Sequence, residues 1–148
     1  MRRRKTLVAV SILLLMISLS ACGAKKPQKA TLVLASNPTT GYQWVVEQDP
    51  EIFDISSDYV ENTSEGTTEQ MVGVGGTETF TLTPKKEGST KIDFLYKQPW
   101  DDESLDTRLT YQIKVDKNMQ IKVESSSAQL GGVMSEIPEM PPLNIEIE

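Results

Sequence analysis

The chain has 148 residues, with 15 Lys and Arg against 21 Asp and Glu, no histidine and a single cysteine. That length suits one domain with a leader and a tail. The missing histidine excludes a Ser-His-Asp triad, a histidine base and nearly every zinc site, and one cysteine excludes an internal disulfide or CxxC pair. The net charge of −6 repels nucleic acid rather than gathering it. These absences point away from an enzyme and from any metal or other cofactor.

The N-terminus opens with Arg2, Arg3, Arg4 and Lys5, followed by an apolar run over residues 7–17 that is too short to span a bilayer. Leu19, Ser20 and Ala21 then lead into Cys22. This order resembles the lipobox of bacterial lipoproteins, which implies cleavage before Cys22 and a lipid on its thiol. The competing reading is a plain secretory signal with an incidental cysteine. The expected organisation is a signal peptide over 1–21, a lipidated tether over 22–29, one domain over 30–124 and an acidic, proline-containing tail over 125–148. The mature chain would then sit on the extracytoplasmic face of the cell membrane, held by acyl chains on Cys22. Losing the leader removes four basic residues, leaving 11 against 21 acidic ones, a net charge of −10.

From Ala30 onward apolar residues alternate instead of recurring at helical spacing. Leu32 and Leu34 share one face, and Tyr42, Trp44 and Val46 form the next such set. Ile52 to Ile55, with Tyr59 and Val60 beyond, predicts a third strand interrupted by a bulge or bend. Phe80 and Leu82 mark a fourth, then Ile92, Phe94 and Tyr96 a fifth, with Asp93, Leu95 and Lys97 on its other face. Leu109, Tyr111, Ile113 and Val115 mark a sixth; Met119, Ile121 and Val123 suit a hairpin return onto it. The fold expected is all-β, an immunoglobulin-like antiparallel β-sandwich of about seven strands. Without a disulfide between the sheets, apolar burial must hold them together, with Trp44 as the expected core centre. The final alternating run, residues 143–147, is either part of a disordered tail or an added edge strand.

Three loops stand apart from these strands. Asn37, Pro38, Thr39, Thr40 and Gly41 precede Tyr42 and Trp44; Pro38 fixes its own φ and restricts Asn37, so the loop is stiff before it meets anything. Gly73, Val74, Gly75 and Gly76 lead into a strand, a backbone with few side chains in the way. No helix follows these glycines, so a phosphate cradle is excluded. Gln98, Pro99 and Trp100 end a strand with a rigid residue and a large aromatic. Trp100 is either an anchor for a partner's groove or a cap folded onto the sheet edge.

In this order the three loops resemble those of the chagasin-type inhibitors of papain-family cysteine proteases, over roughly residues 30–116. The resemblance implies a monomeric, reversible, non-covalent inhibitor whose loops cluster at one end of the sandwich as a wedge. Thr39, Thr40 and Gly41 would approach the catalytic cysteine and histidine of the enzyme, residues 73–76 would lie along its substrate subsites, and Trp100 would pack on its aromatic residues. Gln98 stands where the family has arginine, and Lys97 lies one residue early to replace that cation. Members of the family usually have two strands before the Asn-Pro loop, whereas this chain has room for one, so the missing edge is expected from the C-terminal part, from either residues 119–123 or residues 143–147.

Two other readings use the same residues differently. One is an immunoglobulin-like surface lipoprotein that binds another extracellular protein or a cell-wall partner. The other is a carboxylate enzyme or calcium module around Asp101, Asp102, Glu103 and Asp106. Calcium loops intersperse their ligands with glycine at set positions, which this cluster does not do.

Overall fold

Alternation in the sequence becomes two facing antiparallel sheets in the computed structural model, which describes residues 25–62, 75–131 and 140–147. In chain order the strands are β1 (Gln28–Ser36), β2 (Gln43–Asp49), β3 (Phe53–Glu61), β4 (Gly76–Pro84), β5 (Gly88–Lys97), β6 (Thr107–Val115), β7 (Ile121–Leu130) and β8 (Asn144–Ile147). One sheet runs β3-β4-β1-β8 and the other β2-β5-β6-β7. The leader with Cys22, and Gly73 and Val74 of the glycine loop, lie outside the described residues. The sandwich therefore has eight described strands where the sequence predicts about seven.

The core lies between the sheets. Ala30, Leu32 and Leu34 of β1 and Phe80 and Leu82 of β4 face Ile92, Phe94 and Tyr96 of β5 and Leu109, Tyr111 and Ile113 of β6. Phe94 meets Phe80 and Tyr111 edge-on, at ring-centroid distances of 5.1 and 5.9 Å, the geometry that aromatic quadrupoles favour. Each fully buried Leu, Ile or Phe contributes roughly 1.5–3 kcal/mol. β5 is buried on both faces, because Asp93 and Leu95 on its outer side are also covered. Asp93 accepts from the Thr110 hydroxyl at 2.6 Å and pairs with Lys91 at 2.9 Å, so its charge is matched.

The chain crosses from one sheet to the other between β2 and β3, and Gln48 secures the crossing. Its Oε1 accepts from the backbone N–H groups of Ile52 and Phe53, and its Nε2 donates to the Phe53 carbonyl at 2.8 Å. These bonds satisfy backbone groups that the crossing removes from the ladders. β3 then runs to Glu61 in unbroken register with β4, not bent as the sequence predicts. The register irregularity falls instead between Gln112 and Ile113, where β6 meets β7.

Beyond β6 the chain turns at Asp116, whose carboxylate accepts from the N–H groups of Asn118 and Gln120. That leaves Met119 in the left-handed region, at φ 56°. The return strand β7 continues to Leu130, past the domain end expected at 124. β8 then pairs with the start of β1, Gln28 opposite Ile147 and Thr31 opposite Asn144. Before it, Met140 and Leu143 pack on the core, and the buried Tyr111 donates its phenol O–H to the Pro141 carbonyl at 2.6 Å. This segment covers the side of the sandwich between β1 and β7. Gln28 adds a latch: its N–H donates to the Met119 carbonyl and its Oε1 accepts from the Ile121 N–H.

Candidate functional site

β1 ends, β4 begins and β5 ends at the same pole of the sandwich, and each carries one of the three loops. The first is a single 3-10 turn, Pro38–Thr40, entered through Asn37 (φ −137°, ψ 81°) and left through Gly41 at φ 81°. Proline suits the start of such a turn because that position has no use for an N–H, and glycine suits its left-handed end. The Thr39 hydroxyl donates to Asn37 Oδ1 at 2.6 Å and the Thr40 hydroxyl to the Asn37 carbonyl at 2.7 Å. Both hydroxyls are exposed with their protons turned inward, so toward solvent they offer lone pairs. The Asn37 N–H in turn donates to the Tyr96 hydroxyl at 3.2 Å, tying the loop to the opposite sheet.

The aromatic pair after this turn divides by depth. Trp44 is buried and donates its indole N–H to the Ala35 carbonyl at 2.9 Å. Its ring lies 5.0 Å from that of Tyr96. Tyr42 is half-buried and also packs on Tyr96, at 5.4 Å. Tyr96 is thus the shared support under the first loop. The sequence places it on the core face of β5; the spare hydroxyl of a near-buried tyrosine was the available sign of a second role.

Of the glycine loop, Gly75 and Gly76 are described. The Gly75 carbonyl accepts from the Asn62 N–H at 3.1 Å. A Cβ on Gly75 would lie 3.3 Å from the Ser36 carbonyl oxygen and 3.6 Å from Asn37 Cβ, so this loop rests against the first. At Gly76 a Cβ would come within 2.3 Å of the Val60 carbonyl oxygen and 2.6 Å of the Tyr59 ring. Backbone blocks that position, and only glycine fits.

The third loop returns to the first from the other side. The Gln98 N–H donates to Ser104 Oγ at 2.8 Å, and the Ser104 hydroxyl donates to the Asp101 carbonyl at 2.5 Å. One serine thus bridges both limbs, and the Asp101 N–H closes the turn on the Gln98 carbonyl at 3.1 Å. Pro99 and Trp100 sit at its exposed tip, Trp100 at 74% exposure. The edge of the indole covers Gly41, 3.0 Å from where a Cβ would stand, and Gln98 Nε2 lies 3.7 Å from the same point. Trp100 is therefore laid along the first loop and not folded onto the sheet edge.

The charges beside this loop are committed internally. Lys97, largely buried, pairs with the exposed Asp102 at 2.7 Å, and its ammonium holds the Asp102 carboxyl below its ordinary value. Lys97 is thus not a free substitute for the cation absent at Gln98. Asp101 accepts from the Glu103 N–H, capping the 3-10 turn Asp102–Ser104, and Asp106 is buried, accepting from the Thr107 hydroxyl. Among the described residues no group of three or more His, Cys, Asp or Glu is arranged to hold a metal ion.

The model of the Chagasin family peptidase inhibitor I42 matches residues 24–115, which contain all three loops. The chain belongs to the chagasin family of peptidase inhibitors. It is 35% identical to Chagasin of Trypanosoma cruzi over 88 residues, 55% of this chain and 76% of that protein. It is 31% identical to Amoebiasin-1 of Entamoeba histolytica over 94 residues, covering 61% and 84% of the two chains. Among solved structures it is similar to a cysteine protease inhibitor from Entamoeba histolytica, with a TM-score of 0.50 and 27% identity over 60% of this chain and 78% of that one. The match to the chagasin family ends at Val115, so β7 and β8 lie beyond it.

Proposed function

We propose that this chagasin-family protein is a reversible, non-covalent inhibitor of papain-like cysteine proteases, working as a three-loop wedge. The observation that carries the reading is contiguity: Gly75 rests on Asn37 and Trp100 lies on Gly41, so the three loops form one surface. In this reading the glycine loop, residues 73–76, enters the active-site cleft, where bare backbone pairs as a substrate strand would. Asn37, Pro38, Thr39, Thr40, Gly41 and Tyr42 clamp one side, and Gln98, Pro99 and Trp100 the other. Loops stiffened by internal hydrogen bonds lose little entropy on docking. All three come from one chain, so a monomer suffices.

The similar structure from Entamoeba histolytica is that of a cysteine protease inhibitor, which supports the choice of enzyme class. The protein is titrated into a panel of papain-like proteases. Competitive, reversible inhibition with the inhibitor uncleaved is the expected outcome, and Trp100→Ala should weaken it by about 2 kcal/mol or more, as for a hot-spot aromatic. No inhibition across the panel at micromolar concentration would overturn the reading.

We further propose that Cys22 is lipidated after removal of residues 1–21 and holds the inhibitor at the extracytoplasmic face of the cell membrane, on the strength of the lipobox-like order before it. Cys22→Ser should move the protein from the membrane fraction to the soluble one, with inhibition unchanged.

A further inference from the structure

The sandwich has two open sides. Residues 140–143 cover the one between β1 and β7, whereas β2 and β3 are each the last strand of their sheet and leave the other uncovered among the described residues. Between them lies a groove of 340 Å³. Val46, Phe53, Ile55 and Phe80 line it together with the polar Gln48, Glu51, Asp54 and Ser57. Two features of this side point to the same occupant. Among the described residues β2, and β3 beyond Phe53, have no strand beside their outer edges, with which an extended chain can pair. The stretch from 47 to 61 carries not one Lys or Arg; Lys85 pairs with its Glu51, and Glu47, Asp49, Asp54, Asp58 and Glu61 make it acidic.

The register on β3 specifies the occupant further. Ile55 and Ser57 lie opposite Leu82 and Phe80, and so face inward; Asp54, Ser56 and Asp58 lie opposite Thr83, Thr81 and Thr79, and face outward. A strand added to β3 would alternate in step. Its residues beside Asp54 and Asp58 would meet carboxylates, and those beside Ile55 and Ser57 would enter the groove. We propose that this edge docks an extended segment of a partner protein in which two cationic residues, four apart, flank two inward apolar ones. The groove begins at Trp44, below the wedge, so the site does not depend on the inhibitory loops.

The probe is a labelled heptapeptide, acetyl-Thr-Lys-Val-Thr-Val-Lys-Thr-amide, followed by fluorescence anisotropy with the whole protein. Saturable binding with a Kd on the order of 10–100 μM is expected, weakening several-fold between about 50 and about 500 mM salt. The glutamate version of the peptide should not bind. Asp54→Lys with Asp58→Lys, both on an exposed edge, should reverse that preference. Ser57→Trp, which fills the groove, should abolish binding of either peptide. Trp100→Ala should leave binding intact, separating this site from the wedge. No saturable binding at about 1 mM, equal binding of both peptides, or an unreversed preference in the double variant would overturn the proposal.

Discussion

Trp100 and Gly41 meet across two loops that are far apart in sequence: the indole edge occupies the space where a side chain at 41 would begin. Gly41 is also at φ 81°, where a Cβ is strained whatever its surroundings. Gly41→Ala should therefore act twice. Stability should fall by about 1–2 kcal/mol in urea unfolding, and the displaced indole should raise the inhibition constant roughly tenfold, about 1.4 kcal/mol. An alanine variant with unchanged inhibition would mean the contact does not shape the binding surface.

Ser104 holds the third loop without reaching its tip. Ser104→Ala leaves the Gln98 N–H without the hydroxyl it donates to, while the Asp101 carbonyl keeps the backbone N–H of residue 104. Dissociation of the protease complex should quicken several-fold while the melting temperature moves little, since the residue is half-exposed and net hydrogen bonds are worth about 1 kcal/mol. Stopped-flow release of the enzyme checks this.

Trp44 separates packing from hydrogen bonding. Trp44→Ala should destabilise the fold by about 3–5 kcal/mol through the cavity it leaves. Trp44→Phe keeps most of the volume but removes the indole N–H that the Ala35 carbonyl accepts, at about 0.5–1.5 kcal/mol. Chemical denaturation of both variants distinguishes the two contributions.

Deleting residues 140–148 should lower stability by several kcal/mol, because it uncovers the β1 edge, removes Met140 and Leu143 from the core and leaves the Tyr111 hydroxyl unpaired. β8 pairs with the start of β1, whereas the loops lie at its end, beyond Ser36. The inhibition constant of the folded fraction should accordingly stay unchanged. An unaltered melting temperature would refute the closing role of this segment.

Asp93 makes stability depend on pH. Burial pushes its carboxyl up, but the Thr110 hydroxyl, Lys91 and Arg108 outweigh that and hold it below its ordinary 3.8. A group depressed in the folded state contributes fully above its unfolded value and loses that contribution as pH falls through the folded one. Stability should thus decline as pH falls below about 4, and Asp93→Asn should flatten that decline while lowering stability at neutral pH. Thermal melts across pH 2–7 give the comparison, with about five points enough to define the slope.

Alternation of Leu32, Leu34, Phe80, Leu82, Ile92, Phe94, Leu109 and Ile113 was enough to define the strands and the core, because a period of two leaves each side chain one face to occupy. The stiffness of the first loop was equally legible, since Pro38 and Gly41 restrict the backbone wherever they stand. Strand ends were less so: nothing local distinguishes residues 124–130 from a linker, and pairing with β6 makes them strand. What only the tertiary structure decided was juxtaposition. That Tyr96 holds Asn37, that Lys97 is taken by Asp102, that Trp100 lies on Gly41 and that β8 completes the sheet beside β1 all depend on contacts between distant residues. Such contacts follow from sheet order and register, which the pattern of apolar and polar residues along the chain does not encode by itself.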